Sequence, residues 1–313
     1  IITRGSTRRR VLDRTVYWLF RLSILVTRPL PLRLGYRVGE YVALACYWLI
    51  FHRQRKALNA NLAHVLESSD AGYVDSVARR SFRNFGRFVI DFVHYPVMTR
   101  DEVRTRLRFG QFDDLNRAAA SGRGVIIATI HFGTWDLGAA ALAAHDFPVN
   151  AVAERFPYPP MNDLVQGSRE KLGMKVIGGD RVGPAVFRTL RDGGMLAMLV
   201  DVSAGDVSAI DIDFFGRRAR VSSAAARLAI KTGAWVIPAV VVRAPDDEMI
   251  IAPEMDFSLE DFAPTGDERA DAAALTRRIL ASLEPMIRRY PDQWFIFREL
   301  WPRRDALAQT EAA

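Results

Sequence analysis

Short, uninterrupted apolar runs recur along the second half of the chain, at 124–130 (GVIIATI), 149–153, 175–177, 195–200 and 235–242. Runs this short, apolar throughout and rich in β-branched residues, predict strands buried on both faces. Between them, 135–144, 161–172, 182–191 and 222–232 carry helical patterning. Strand and helix in alternation predict an α/β fold with a mostly parallel central sheet flanked by helices. Thr134, Ser222 and Ser223 stand where helices should begin, and Gly173, Gly193 and Gly233 where they should end. A last helix is expected over 267–289, closed by Pro291. Upstream, apolar residues at three- and four-residue steps, among them Val74, Val77, Phe82, Phe85, Val89 and Phe92, make 53–120 helical.

The N-terminal end has a different texture. Residues 16–26 read VYWLFRLSILV and residues 41–51 read YVALACYWLIF. A helix of that length covers about 16 Å, roughly half a hydrocarbon core, and neither run reaches the roughly 18 uncharged residues of a spanning helix. Apolar runs rich in Trp and Tyr and flanked by arginine predict helices lying in a membrane interface; core helices of a soluble domain are the other reading. The charge distribution favours the first. The chain carries a formal +7, but residues 1–60 hold 12 Lys and Arg against 2 acids, and the remainder 31 against 34. A basic end on a slightly acidic body predicts attachment to an anionic membrane surface rather than to nucleic acid. The chain therefore divides into a basic, apolar, helical membrane-associating part over 1–52, an α/β domain over 53–302 and a tail over 303–313. No small-residue cleavage site follows the first run, which argues against a cleaved signal peptide.

Chemistry concentrates where the first strand ends. Residues 131–136 read HFGTWD, so His131 sits at the carboxyl end of a buried strand, where sites of open α/β sheets lie. Asp136 falls in the first turn of the next helix if Thr134 caps it, within reach of the imidazole. A carboxylate on one ring nitrogen fixes the tautomer and leaves the other free to take a proton from a hydroxyl. No G-x-S-x-G is present, and the one cysteine, Cys46, lies in an apolar run. A His–Asp pair without a protein nucleophile suggests that the substrate's own hydroxyl attacks; a turn histidine bonded to a nearby acid is the plain alternative. No metal site is expected, since His52, His64, His94 and His145 lack ligand spacing, and neither a P-loop nor G-x-G-x-x-G appears.

HFGTWDLG at 131–138 resembles the H-x4-D/E motif of the lysophospholipid acyltransferase superfamily. More narrowly, it resembles the branch of the lipid A late acyltransferases and phosphatidylinositol mannoside acyltransferase. Further stretches match in order: GRGV at 122–125, Glu154-Arg155, Arg169 with Leu172-Gly173, Asp201 after MLAMLV, DFFG at 213–216, VIP at 236–238 and YPxQW at 290–294. The similarity covers about 30–302. It implies an O-acyltransferase using acyl-CoA or acyl carrier protein as co-substrate and no further cofactor. The acceptor would be a hydroxyl of a membrane lipid or glycolipid at the cytoplasmic face of the inner membrane. His131 would be the general base, Asp136 its partner, Glu154 and Asp201 acids near the acceptor or acyl centre, and Arg169 and Arg155 the holders of anionic groups or the oxyanion.

Departures from the branch's lipid A members point to a related glycolipid or phospholipid acceptor. Asp201 is followed by Val202-Ser203, FIFREL separates Trp294 from Trp301, and Asp136 stands where Glu is common. A thioesterase using the same His–Asp pair, and a non-catalytic membrane-binding protein, are the competing functions. Phe214, Phe215, Trp235 and Trp294 are candidates to line an acyl groove, with plain core expected for at least two of them.

Overall fold

The structure, a computed structural model, describes residues 7–153, 155–178, 182–201 and 208–301. Six helices come first: α1 (Thr7–Thr27), α2 (Leu32–Leu49), α3 (His52–Val65), α4 (Ala71–His94), α5 (Arg100–Thr105) and α6 (Phe112–Ala120). Strand and helix then alternate as expected: β1 (Val125–Thr129), α7 (Trp135–Ala144), β2 (Val149–Val152), α8 (Pro159–Lys171), β3 (Lys175–Ile177), α9 (Val182–Arg191) and β4 (Met195–Leu199). A hairpin of β5 (Ala209–Phe214) and β6 (Arg217–Ser222) leads to α10 (Ala224–Thr232), β7 (Trp235–Arg243), β8 (Ile251–Met255) and α11 (Glu268–Arg289).

The main sheet has the order β3-β2-β4-β1-β7-β8. Its first five strands run parallel, and β8 pairs antiparallel with β7. Every residue of β1 and β7 is buried, which is why both read as continuous apolar runs. One face is covered by α9, α10 and α11, and the other by α7 and the helices before β1. The all-apolar pattern of α7 follows from that burial: Leu137 and Ala140 to Ala144 are at most 3% exposed. The expected starts and stops largely coincide with the elements. Asp70 and Asp267 cap α4 and α11 with their side chains, Thr134 and Ser223 sit at N-cap positions without side-chain cap bonds, and Gly233 closes α10 at φ +70°.

Three strands and a turn escaped the apolar pattern. β5 and β6 alternate apolar and charged residues, as a half-exposed ribbon should, and turn through Phe215 and Gly216, both at positive φ. β8 is short and half buried.

α2 lies against α4 at a glycine contact. A Cβ on Gly86 would stand 2.4 Å from the Gly39 carbonyl oxygen, so no other residue fits without parting the helices. Beside this crossing, Tyr36 of α2 donates to Asp91 of α4 (2.6 Å), and Arg106 and Arg243 pair with the same carboxylate. Asp91 is 1% exposed. Burial alone would raise its pKa, but the two guanidinium charges and the Tyr36 hydroxyl hold it below the ordinary carboxylate value. The ion pair therefore contributes stability above the usual carboxylate pKa, and that contribution is lost as pH falls through the depressed one. Asp91→Asn strands two buried cations and is expected to cost about 3–5 kcal/mol, read from denaturant unfolding at neutral pH. An unchanged midpoint would show that the arginines find other partners.

Candidate active site

β1 delivers His131 to the carboxyl end of the sheet, and the chain then turns sharply. Gly133 has φ +54°, and a Cβ there would meet the Val241 carbonyl oxygen at 1.9 Å. The turn is pinned on both sides: Thr134 N–H donates to Val241 O (3.1 Å) and Gly133 N–H to Gln293 O (2.7 Å). Phe295 N–H donates in turn to the His131 carbonyl (2.8 Å). The segment following α11 is thus a strap across the His131 loop. Gln293 anchors it by gripping the Arg243 backbone, accepting from its N–H (2.8 Å) and donating to its carbonyl (3.1 Å).

The imidazole is held by Asp201. Nδ1 of His131 lies 2.9 Å from Asp201 Oδ1, and the His131 backbone N–H donates to Oδ2 at 3.0 Å. Asp201 is fully buried, and Trp294 Nε1–H also donates to Oδ2 (3.3 Å). The carboxylate fixes the neutral ring as the Nδ1–H tautomer, leaving the Nε2 lone pair free on a side chain that is 28% exposed. Burial lowers the imidazole pKa, but the charge and hydrogen bond of Asp201 outweigh it and the weaker repulsion of Arg298, so the pKa stands above its ordinary value.

Asp136 is elsewhere, and the expectation that it orients His131 is corrected. Its carboxylate accepts from Arg169 Nε (3.1 Å to Oδ1) and Nη2 (2.9 Å to Oδ2) in a two-pronged pair, and both side chains are mostly buried. The first turn of α7 faces α8, whereas the imidazole faces β4, so Asp136 fastens the two helices behind the loop. The same contact engages Arg169: Nε and Nη2 bond Asp136, and Nη1 bonds Gln166 (2.9 Å). Asp201, expected beside the acceptor or the acyl centre, lies beneath the histidine. Arg155 is exposed just past β2. Glu154 lies outside the described residues, as do 179–181 and 202–207, which follow β3 and β4 in the chain.

Trp135 of α7 stands edge-on to the His131 ring at 5.2 Å and stacks on Phe88 of α4 at 4.1 Å, so an aromatic wall flanks the imidazole. Phe214, Phe215, Trp235 and Trp294 are at most 6% exposed and belong to the core rather than to an open groove. Sequence reasoning gives Gln293 and Arg298 no part in this site, and Trp294 only a candidate place in an acyl groove. The closing YPxQW stretch was the available signal, but nothing local in it says that its partners are 93 and 50 residues away. Among the described residues, no group of three or more His, Cys, Asp and Glu gathers as metal ligands.

A family model described as "Bacterial lipid A biosynthesis acyltransferase" matches residues 2–303. The chain is also similar to a phosphatidylinositol mannoside acyltransferase of Mycolicibacterium smegmatis, 29% identical over 249 residues, covering 78% of each chain. A protein of the same name from Mycobacterium tuberculosis is 24% identical over 305 residues, 95% of this chain and 91% of that one.

The imidazole's environment makes a measurable claim. The NMR titration of His131 is expected above that of an ordinary imidazole. In Asp201→Asn, only burial and the Arg298 charge remain, and the titration should fall below the wild-type one. An unchanged titration would overturn the assignment of Asp201 as the ring's partner.

Proposed function

The chain belongs to the bacterial lipid A biosynthesis acyltransferase family and is an O-acyltransferase; we propose that it transfers a fatty acyl chain from the thioester of coenzyme A or acyl carrier protein to a hydroxyl of a membrane glycolipid. The names of the relatives favour a mannosylated phosphatidylinositol as acceptor. The observation that carries the mechanism is the His131–Asp201 pair. Nε2 of His131 takes the acceptor hydroxyl's proton as its oxygen attacks the thioester carbonyl carbon. The tetrahedral intermediate collapses, the C–S bond breaks, and the sulfur leaves with the proton that Nε2 held. Asp201 stabilises the imidazolium between these steps, so no protein nucleophile is needed. Asp136 and Arg169 act as positioning residues that hold the turn after His131.

Docking on an anionic membrane, at its cytoplasmic face, is part of the same proposal. Large apolar side chains stand out of α1 and α2: Trp18 is 58% exposed, Leu25 65%, Tyr41 72% and Leu49 74%. No helix among the described residues is long and apolar enough to cross a membrane. An apolar face flanked by arginines suits a helix pair lying in the interface.

Purified protein given palmitoyl-CoA and phosphatidylinositol mannosides is expected to release free thiol in step with a new acylated lipid seen by mass spectrometry. His131→Ala should lower turnover by at least about 10²-fold with its melting temperature unchanged. Full turnover in a folded His131→Ala protein would overturn the mechanism, and thiol release independent of lipid would make the protein a thioesterase. Trp18→Glu with Leu25→Glu, both on exposed positions, should weaken binding to anionic vesicles without altering the melting temperature. Unchanged vesicle binding would remove the docking claim.

A further inference from the structure

The strap that crosses the His131 loop is held a second time further along. Asn61 of α3 is 2% exposed, and its side-chain amide is committed to the strap. Nδ2 donates to the carbonyls of Ile296 (3.2 Å) and Arg298 (2.7 Å), and Oδ1 accepts from Leu300 N–H (3.1 Å). The backbone on both sides of Arg298 is therefore fixed by a buried group from another element. Trp294 and Arg298 of this one segment both reach Asp201: the indole meets its carboxylate, and Nη2 of Arg298 lies 3.5 Å from its carbonyl oxygen.

Arg298 is exposed, and among the described residues that long contact is its guanidinium's one acceptor; no carboxylate pairs with it. It is also the cation whose charge opposes protonation of the His131 ring. Such a placement is unfavourable for a base alone. When Nε2 gains a proton, the ring and Asp201 together become neutral, and Arg298 repels the new imidazolium. An anion arriving at the same moment would reverse the balance. The reaction supplies one. The carbonyl under attack must lie beside Nε2, because the attacking oxygen is the one whose proton Nε2 takes. The donor's phosphates lie at the far end of its pantetheine arm.

We propose that Arg298 is a further catalytic residue of the His131 centre, donating to the oxyanion that forms on the thioester carbonyl. The proposal rests on the thioester chemistry set out above. The hydroxyl oxygen bonds the carbonyl carbon, its proton passes to Nε2, and the carbonyl π pair moves onto oxygen, where the guanidinium meets it. When that pair returns, the C–S bond breaks and the sulfur takes the proton from Nε2. The charge of Arg298 is matched only between these two events, which is the condition for stabilising the transition state more than the bound substrates.

The test is the kinetics of thiol release from palmitoyl-CoA in the presence of phosphatidylinositol mannosides. Arg298→Gln is expected to lower kcat by about 10²-fold, with the KM for palmitoyl-CoA and the melting temperature unchanged, and Arg298→Lys to recover part of the loss. The same charge removed from α9, in Arg188→Gln, should leave both constants as they are. A raised KM with kcat intact would make Arg298 a ligand of the donor's phosphates, and no change in either constant would make it a surface charge; both results overturn the proposal. Attack by water forms the same oxyanion, so thiol release independent of lipid would correct the acceptor while Arg298→Gln still decided this point. If the wild type releases no thiol, calorimetric titration with dodecylphosphonate, a tetrahedral anion on an alkyl chain, decides it instead. Saturable binding is expected, weakened roughly tenfold in Arg298→Gln and unchanged in Arg188→Gln; equal binding to all three proteins, or none, overturns the proposal. His131→Ala tests the base and Arg298→Gln the oxyanion, so either can fail alone.

Discussion

The carboxylate of Asp91 is the point on which the architecture turns. It is buried in α4, yet it is bonded by Tyr36 from α2, by Arg106 after α5 and by Arg243 at the end of β7. A buried charge is tolerated only when its partners are placed well, so this one dictates where each of those elements can lie. The glycine contact between α2 and α4 serves the same end, since it lets Tyr36 come close enough to share the carboxylate. From Arg243 the constraint passes onward without a gap. Gln293 grips the Arg243 backbone, its carbonyl holds the Gly133 amide, and that turn sets the His131 ring. The apolar helices at the start of the chain and the imidazole at the end of β1 thus belong to one connected framework.

Within that framework the carboxylate of Asp201 has unusual reach. Asp201 accepts from the ring, from the histidine's own backbone and from the Trp294 indole. Three donors leave this carboxylate well satisfied in a place with no water contact. The strap carrying Gln293, Trp294 and Phe295 is therefore as much part of the centre as the strand that bears His131.

The strands, their order along the chain and the His131 turn were legible because burial on both faces leaves an unmistakable apolar signature and because histidine at a strand end is chemically conspicuous. The partner of that histidine was not. Proximity in sequence favoured Asp136, five residues on, whereas the acid that meets the ring is 70 residues away. Yet the reason is simple once the register is known. β1 and β4 are neighbours with Thr129 opposite Leu199, so two further steps along each strand bring His131 opposite Asp201. Both residues were identified at strand ends; what a single sequence does not encode locally is that these two strands adjoin. The same limit hid the roles of Gln293 and Trp294, whose partners come from other elements.

Asp201 bonds the ring and the backbone of the same residue, and this closes off a degree of freedom. The backbone contact keeps the carboxylate in place, and an imidazole anchored on it cannot flip to present its other nitrogen without breaking the Nδ1 bond. In the direct transfer proposed for this site, a single atom, Nε2, would then serve as proton acceptor at the start and as proton donor at the end. The arriving hydroxyl and the departing sulfur would have to converge on that one lone pair. Such a transfer would need both substrates present together, and its chemistry would turn on which of them sits nearer one nitrogen at each moment.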